Sequence, residues 1–290
     1  MNNKEAMFYT QLNEGNVQCN LCPHNCKIPE GSAGFCTVRK NMGGRLYATS
    51  YAKASALALD PIEKKPLYMF RQGSQILSVG GFGCNFRCPF CQNSGISLDY
   101  DHSRAELVPP EHLTALALQA VSRGNIGIAY TYNEPLIGYE YLLDSAKLVH
   151  KAGLANIIVT NGSINQRPLE ALLPYIDAMN IDLKSFSPAF YENIKGSLET
   201  TKQTITLASK HCHIEVTSLI IPNENDSESE MTQLASWLSS INPNIPLHLS
   251  RFFPRHNYAH KAPTPKETIY KLKEIAQKHL VNVFVGNMNC

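Results

Sequence analysis

From residue 76 onward the chain keeps one rhythm: a short, almost wholly apolar run, then a helical pattern, repeated about six times. The runs are "ILSVG" (76–80), "IGIAYTY" (126–132), "NIIVT" (156–160), "AMNIDL" (178–183), "HIEVTSLII" (213–221), "PLHLS" (246–250) and, least regular, "VNVFVG" (281–286). Near-continuous apolar character belongs to strands covered on both faces. Between them lie helical stripes: Leu113, Leu116, Ala117, Ala120 and Val121; Tyr139, Leu142, Leu143 and Ala146, with Gly153 set to end that helix; and Met231, Leu234, Ala235 and Leu238. The third stripe follows "SESE", where Ser227 and Glu230 can form a capping box, and "TPKE" (264–267) offers the same device with Pro265 at the first helical position. Such alternation requires a parallel sheet. The fold class is therefore α/β, the sheet rolled into a full or partial (β/α) barrel or left open, with a partial (β/α)6 TIM-type barrel as the expectation.

The first 75 residues do not share this rhythm, so residues 1–75 read as a small cysteine-rich N-terminal module and connector, and 76–290 as the barrel. With 43% hydrophobic residues the chain can bury a full core. A formal net charge of +2 with scattered Lys and Arg argues against nucleic acid as a partner. The start "MNNKEAMFYT" has no export signal, and no apolar stretch is long enough to cross a bilayer, so a cytoplasmic protein is expected. There thiols stay reduced, and the grouping of the nine cysteines points to zinc or iron–sulfur rather than disulfides.

One group, Cys84, Cys88 and Cys91 in "GGFGCNFRCPFCQN" (80–93), follows the first barrel strand directly, where barrels carry their catalytic groups. Gly80, Gly81 and Gly83 let the backbone wrap closely around a bulky ligand. Three thiolates can hold three irons of a 4Fe–4S cluster and leave the fourth open, the mark of a reactive site. Zinc held by three cysteines and water is the structural competitor.

C-x-x-x-C-x-x-C with an aromatic, Phe90, before the last cysteine resembles the signature of radical S-adenosylmethionine (SAM) enzymes. The resemblance implies a 4Fe–4S cluster whose open iron is chelated by SAM. The reduced cluster cleaves SAM to a 5′-deoxyadenosyl radical that takes hydrogen from a substrate. It covers residues from about 74 to 286 and is closest to activating enzymes of glycyl radical enzymes. Those carry G-G-E-P after the second barrel strand, whose backbone pairs with the SAM amino group. Here the stretch is "YNEP", with Glu134 and Pro135 retained and Tyr132 and Asn133 in place of both glycines. After the third strand "VTNG", with Asn161, stands where the family often has D-T-N-G. After the fourth, "DLK" matches fully, implying that Asp182 bonds ribose hydroxyls and Lys184 pairs with the SAM carboxylate. "IIPNEND" (220–226) also resembles the family's loop after strand five. Arg251, at the end of strand six, could clamp a carboxylate with its planar fork, whereas His248 reads as a core histidine and Cys212 as a small buried hydrophobe.

The other group, Cys19, Cys22, Cys26 and Cys36, shows no vacancy and reads as structural zinc or an auxiliary 4Fe–4S cluster. "CNLCPHNC", the following "GFCTVRKN", "DPIEKKPLY" (60–68) and the cysteine loop, in that order, resemble the radical SAM enzymes of the AmmeMemoRadiSam system. That resemblance implies Memo-type and AMMECR-type partners. Those relatives usually continue with further cysteines, whereas this chain stops at Cys290, so the tail is either dispensable or missing. A radical SAM enzyme also implies a flavodoxin or ferredoxin-type electron donor. Two other readings remain open: activation of a glycyl radical enzyme, and an iron–sulfur electron-transfer or metal-binding protein without chemistry. An ordinary Rossmann methyl-transfer site is weaker, since no glycine-rich fingerprint follows any strand.

Overall fold

The structure, a computed structural model, describes residues 4–98 and 105–288; Cys290 lies outside the described residues. Eight strands form one sheet in chain order: β1 (Ala56–Pro61), β2 (Gln75–Gly80), β3 (Asn125–Thr131), β4 (Ala155–Thr160), β5 (Ala178–Asp182), β6 (His213–Ile220), β7 (Leu247–Arg251) and β8 (Val283–Gly286). From β2 to β8 every neighbouring pair is parallel. β1 and β8 are its edges, so the barrel is open, the α/β partial barrel that the sequence predicts. All the expected strands are present, β8 included. The rhythm gives no sign of β1, which pairs antiparallel with β2, Ala56 opposite Gly80 and Pro61 opposite Gln75. At Gly127 the strands β3 and β4 approach so closely that a Cβ would stand 1.9 Å from the Ala155 carbonyl oxygen.

The outer face of the sheet is covered by helices that include Pro110–Gln119, Tyr139–Lys151, Leu198–Ala208, Glu228–Ile241 and Lys266–Ala276. The stripe at Tyr139, Leu142, Leu143 and Ala146 is buried, as is that at Met231, Leu234, Ala235 and Leu238. Gly153, with φ 74°, follows the C-terminus of the first of these helices in the left-handed conformation. Three local expectations need correction. Val121 is exposed, because the first helix tightens into a 3-10 turn at Ala120–Arg123 and turns it outward. Ser227 caps its helix, but the Glu230 carboxylate does not reach back; it accepts from Ser185 Oγ and the Phe186 amide instead. Thr264 makes no cap, since its hydroxyl donates to the Ile220 carbonyl and accepts from the Phe252 amide, and Pro265 sits at the N-cap position.

The segment 60–69 closes the barrel floor. Ile62 and Leu67 pack on Ile76, Ala129, Ile157 and Ala178. Asn180 Nδ2 donates to the Pro66 carbonyl (2.8 Å), and the Tyr68 and Met69 amides donate to the Glu215 carboxylate. His248 is a satisfied core histidine, 2.6 Å from the same carboxylate. His213, 3.0 Å from the carboxylate, together with His248 and the two amides holds Glu215 down to about 2 despite its burial. Cys212 Sγ is spent on the Ala208 carbonyl, as a small apolar filler would be.

The N-terminal residues form two small antiparallel sheets, of 9–11, 17–19 and 27–28, and of 4–5, 45–48 and 39–42. They dock on the helix Tyr139–Lys151 through a buried pair. Arg39 Nη1 lies 3.0 Å from both Glu140 carboxylate oxygens, and the Met7 amide donates to Glu140 at 2.6 Å. Among the described residues no helix is long and apolar enough to cross a membrane. Glu140→Gln leaves a buried guanidinium unpaired and should cost about 3–5 kcal/mol in denaturant unfolding. The double variant Arg39→Met, Glu140→Leu, which removes both charges, should lose clearly less.

Candidate active site

Residues 81–93 have no regular secondary structure, so their backbone groups need partners from elsewhere. Asn133 supplies them first: its Oδ1 accepts from the Gly81 amide (2.9 Å) and its Nδ2 donates to the Phe82 and Gly83 carbonyls (3.0 and 3.1 Å). Arg87 donates to the Cys84 and Phe86 carbonyls, at 2.9 and 2.8 Å. The ring of Phe90 is buried between Phe190 and Tyr258, with centroids 6.0 Å away on each side. The Tyr258 amide closes the loop from the far wall by donating to the Pro89 carbonyl (3.1 Å).

Of the expected site residues, Asn133, Glu134, Asn161, Asp182 and Lys184 gather around this loop, and Arg251 makes its contacts elsewhere. The Asn161 side chain approaches Cys84 Sγ at 3.8 Å and donates to Asn85 Oδ1 at 2.9 Å. Glu134, fully buried, points into the protein: its carboxylate accepts from the Leu136 amide (2.9 Å), Thr160 Oγ1 (2.7 Å) and the Asn161 amide (2.7 Å). It therefore ties the end of β3 to the end of β4. Burial pushes Glu134 up to about 7, against these three donors. Lys184 Nζ and Asp182 Oδ2 pair at 2.7 Å beyond β5, and Asn225 holds the Lys184 carbonyl at 2.7 Å. Arg251 donates through Nε to the Thr264 carbonyl (2.6 Å), its guanidinium 4.7 Å from the Phe253 ring centre.

Tyr132, where the resemblance has glycine, adopts φ 72°, a conformation that glycine takes at little cost. Its hydroxyl donates to Asp60 (2.9 Å), which also accepts from Lys65 (2.9 Å) and Ser78 (3.1 Å), and the Lys65 ammonium lies 4.8 Å from the Tyr132 ring centre. Side-chain anchors thus hold a strained turn. Asn85, Asn225, Asp60 and Lys65 are site-building residues that the sequence reading passed over. Asp60 and Lys65 stand inside "DPIEKKPLY", where charges of both signs set between apolar residues and prolines were the available signal.

All eight described cysteines are free thiols. Burial raises Cys84 well above its ordinary value, and the Glu134 carboxylate adds to this; burial pushes Cys88 up to about 12, opposed by the Lys184 ammonium. Such thiols are inert unless a metal takes the place of their protons. Cys84 Sγ accepts from the Phe86 amide at 3.3 Å, an N–H···S contact suited to a metal-bound sulfur. Among the described residues no three His, Cys, Asp or Glu side chains converge on one point for a single ion. A cluster has no such requirement, because its thiolates bind separate irons. The donor set fits an iron–sulfur cluster.

Comparison with known proteins places the chain in the Radical SAM superfamily, which residues 78–235 match. It is an enzyme of that superfamily, whose members use a 4Fe–4S cluster and SAM. An uncharacterized protein of Methanocaldococcus jannaschii is 40% identical over 290 residues, 98% of this chain and 85% of the relative. A putative glycyl-radical enzyme activating enzyme of that organism is 24% identical over 211 residues, 70% of this chain and 77% of the relative. The pyruvate formate-lyase-activating enzyme of Clostridium pasteurianum is also 24% identical, over 55% of this chain and 67% of its own length. Among solved structures, a radical SAM methyltransferase from Sphaerobacter thermophilus shares the fold, with a TM-score of 0.57 at 15% identity over 75% of this chain and 67% of that one.

Glu134→Gln turns an amide N–H₂ toward a donor and should cost about 1–3 kcal/mol of stability near pH 8. The folded chain holds the Glu134 proton to about pH 7, the unfolded chain only to its ordinary 4.5. The stability from that proton is present below pH 4.5 and lost as the pH rises to 7. Unfolding midpoints measured across this window should fall with pH in the parent and lose that component in the variant.

Proposed function

We propose that this chain is a radical SAM enzyme that takes a hydrogen atom from a substrate, with Cys84, Cys88 and Cys91 as the cluster ligands. The observation that carries the reading is one arrangement. Three half-buried thiols of a single loop follow the C-terminal end of the first parallel strand, and the cation of Lys184 stands beside Cys88. When bound, a 4Fe–4S cluster and SAM supply a 5′-deoxyadenosyl radical at such a site.

The other work falls to the chain's own residues. Lys184 is the cation for the SAM carboxylate and Asp182 the acceptor for ribose hydroxyls, their mutual 2.7 Å pair orienting both. Asn133, Glu134 and Asn161 act by shape: their side chains fix the loop and the two strand ends, which leaves backbone groups to meet the cosubstrate. Phe90, wedged between Phe190 and Tyr258, keeps water from one side of the loop. Arg251 is the candidate carboxylate clamp for SAM or substrate on the opposite wall.

Within the superfamily we assign the chain to the AmmeMemoRadiSam group, on the order of its N-terminal motifs and on the packing of "DPIEKKPLY" under the barrel. Memo-type and AMMECR-type proteins are its expected partners, a flavodoxin or ferredoxin its donor, and the cytoplasm its compartment. The working division is a module of residues 1–75, whose connector adds β1 to the sheet and packs under it, and a barrel of 76–290. Glycyl radical activation is the second reading, supported by the two relatives named as activating enzymes.

Anaerobically reconstituted protein given SAM and a strong reductant should form 5′-deoxyadenosine, and the Cys84→Ala, Cys88→Ala, Cys91→Ala triple variant should form none. A fully loaded parent that makes none would move the electron-transfer reading ahead.

A further inference from the structure

The two cysteine groups, distant in sequence, meet in space. A Cβ on Gly83 would stand 2.6 Å from the Cys36 carbonyl oxygen, and Cys36, Val38, Phe82 and Ile137 share one apolar cluster. His24 Nε2 lies 2.8 Å from the Asn85 carbonyl, and its ring stacks on Phe35 at 4.3 Å. The other side of this seam is Arg87, whose guanidinium is 4.0 Å from the Phe35 ring centre and bonds the Phe35 carbonyl.

Asn85 is the hub of the seam. It is wholly buried, donates to the Ser163 carbonyl (2.8 Å) and accepts from Asn161 (2.9 Å), and its side chain stands near the Cys22 thiol. Asn161 in turn approaches Cys84 Sγ at 3.8 Å. Asn85 and Asn161 therefore stand between the Cys22 thiol and Cys84.

The four N-terminal thiols form one group. The Cys19 amide donates to the Cys26 carbonyl (2.9 Å), and the Phe35 amide donates to Cys26 Sγ (3.4 Å). Cys22 feels Cys36 and Cys19, and Cys36 feels Cys19 and Cys26. Arg39 lies within their electrostatic reach with its Nε buried and without a hydrogen-bond partner among the described residues, a spare donor beside sulfurs that a metal would make anionic. Four thiolates can hold either tetrahedral zinc or a 4Fe–4S cluster, and their contact with the three-cysteine loop favours the group that carries electrons.

We propose that Cys19, Cys22, Cys26 and Cys36 hold a second iron–sulfur cluster, set against the three-cysteine loop and coupled to it through Asn85. The inference rests on the reading that the loop itself holds a cluster. The second cluster is the port for reducing power. A low-potential donor of the flavodoxin or ferredoxin class is oxidised by one electron, the second cluster takes it and hands it to the loop, and no bond or proton changes place.

The test is iron content, zinc content and electron paramagnetic resonance of the anaerobically reconstituted chain. The parent should hold about 8 irons, and the Cys84/Cys88/Cys91→Ala variant and Cys22→Ala should each hold about 4. The reduced parent should show a spin–spin splitting that both variants lose. In Asn85→Ala the iron content should stay, while reduction of the loop cluster by a flavodoxin, followed by freeze-quench, slows several-fold. If Cys22→Ala does not fold, the loop variant alone decides, since about 4 irons must remain in it. A parent with about 4 irons, all lost in the loop variant, and with zinc at the other site overturns the proposal and leaves the loop reading standing. About 4 irons in the parent that persist in the loop variant sink the loop reading instead. Parent spectra equal to the sum of the two variants, or an unchanged rate in Asn85→Ala, overturn the coupling.

Discussion

A loop without helix or strand that carries three cysteines must find partners for every peptide group it buries, and that requirement shapes the top of this barrel. Buried amides meet it. Asn133 holds residues 81–83, Asn85 and Asn161 brace one another, and Asn225 fixes the carbonyl of Lys184. Each side chain both donates and accepts, so one residue can bridge two backbones whose orphan groups differ in kind. Glu134 is the exception that fits: it only accepts, and it meets three donors. Buried, fully satisfied networks of this kind favour one arrangement over its neighbours, which is what a site for a bulky cofactor needs.

The floor of the barrel solves a different problem. An open barrel has a gap at the N-terminal ends of its strands, and the segment 60–69 fills it with Ile62 and Leu67 while the Glu215 carboxylate ties down the chain above. The same segment reaches upward. Asp60 and Lys65 hold the ring of Tyr132 and so a left-handed turn at the end of β3, where the Asn93 side chain donates to the Tyr132 carbonyl at 2.7 Å. The connector therefore acts on the shape of the mouth from below.

The sheet was legible in the sequence because burial on both faces leaves a signature within each strand: apolar runs such as "NIIVT" need no knowledge of their neighbours. The thiol spacing was legible for a similar reason, since its three cysteines lie within one loop. What escaped was decided by partners far along the chain. β1 carries an ordinary sequence, "ALALDP", and becomes a strand only because β2 offers it an edge. Thr264 looks like a cap but spends its hydroxyl on Ile220 and Phe252, and Glu230 leaves its own helix for the loop at 185–186. Asn85 and Asn225 carry no pattern at all, for an amide's work depends on what surrounds it. The fold and the cysteine loop could be read; the scaffolding that shapes them could not.

The contact between Gly83 and Cys36 has a consequence for how such chains can change. No methyl group fits between the two backbones, so the N-terminal residues are a wall of the cysteine loop rather than a tethered appendage. A chimera that joined this barrel to the first residues of a distant relative would bring together two surfaces never fitted to each other, at the one place with no slack. The two parts must therefore diverge in step. Their history is that of a single unit.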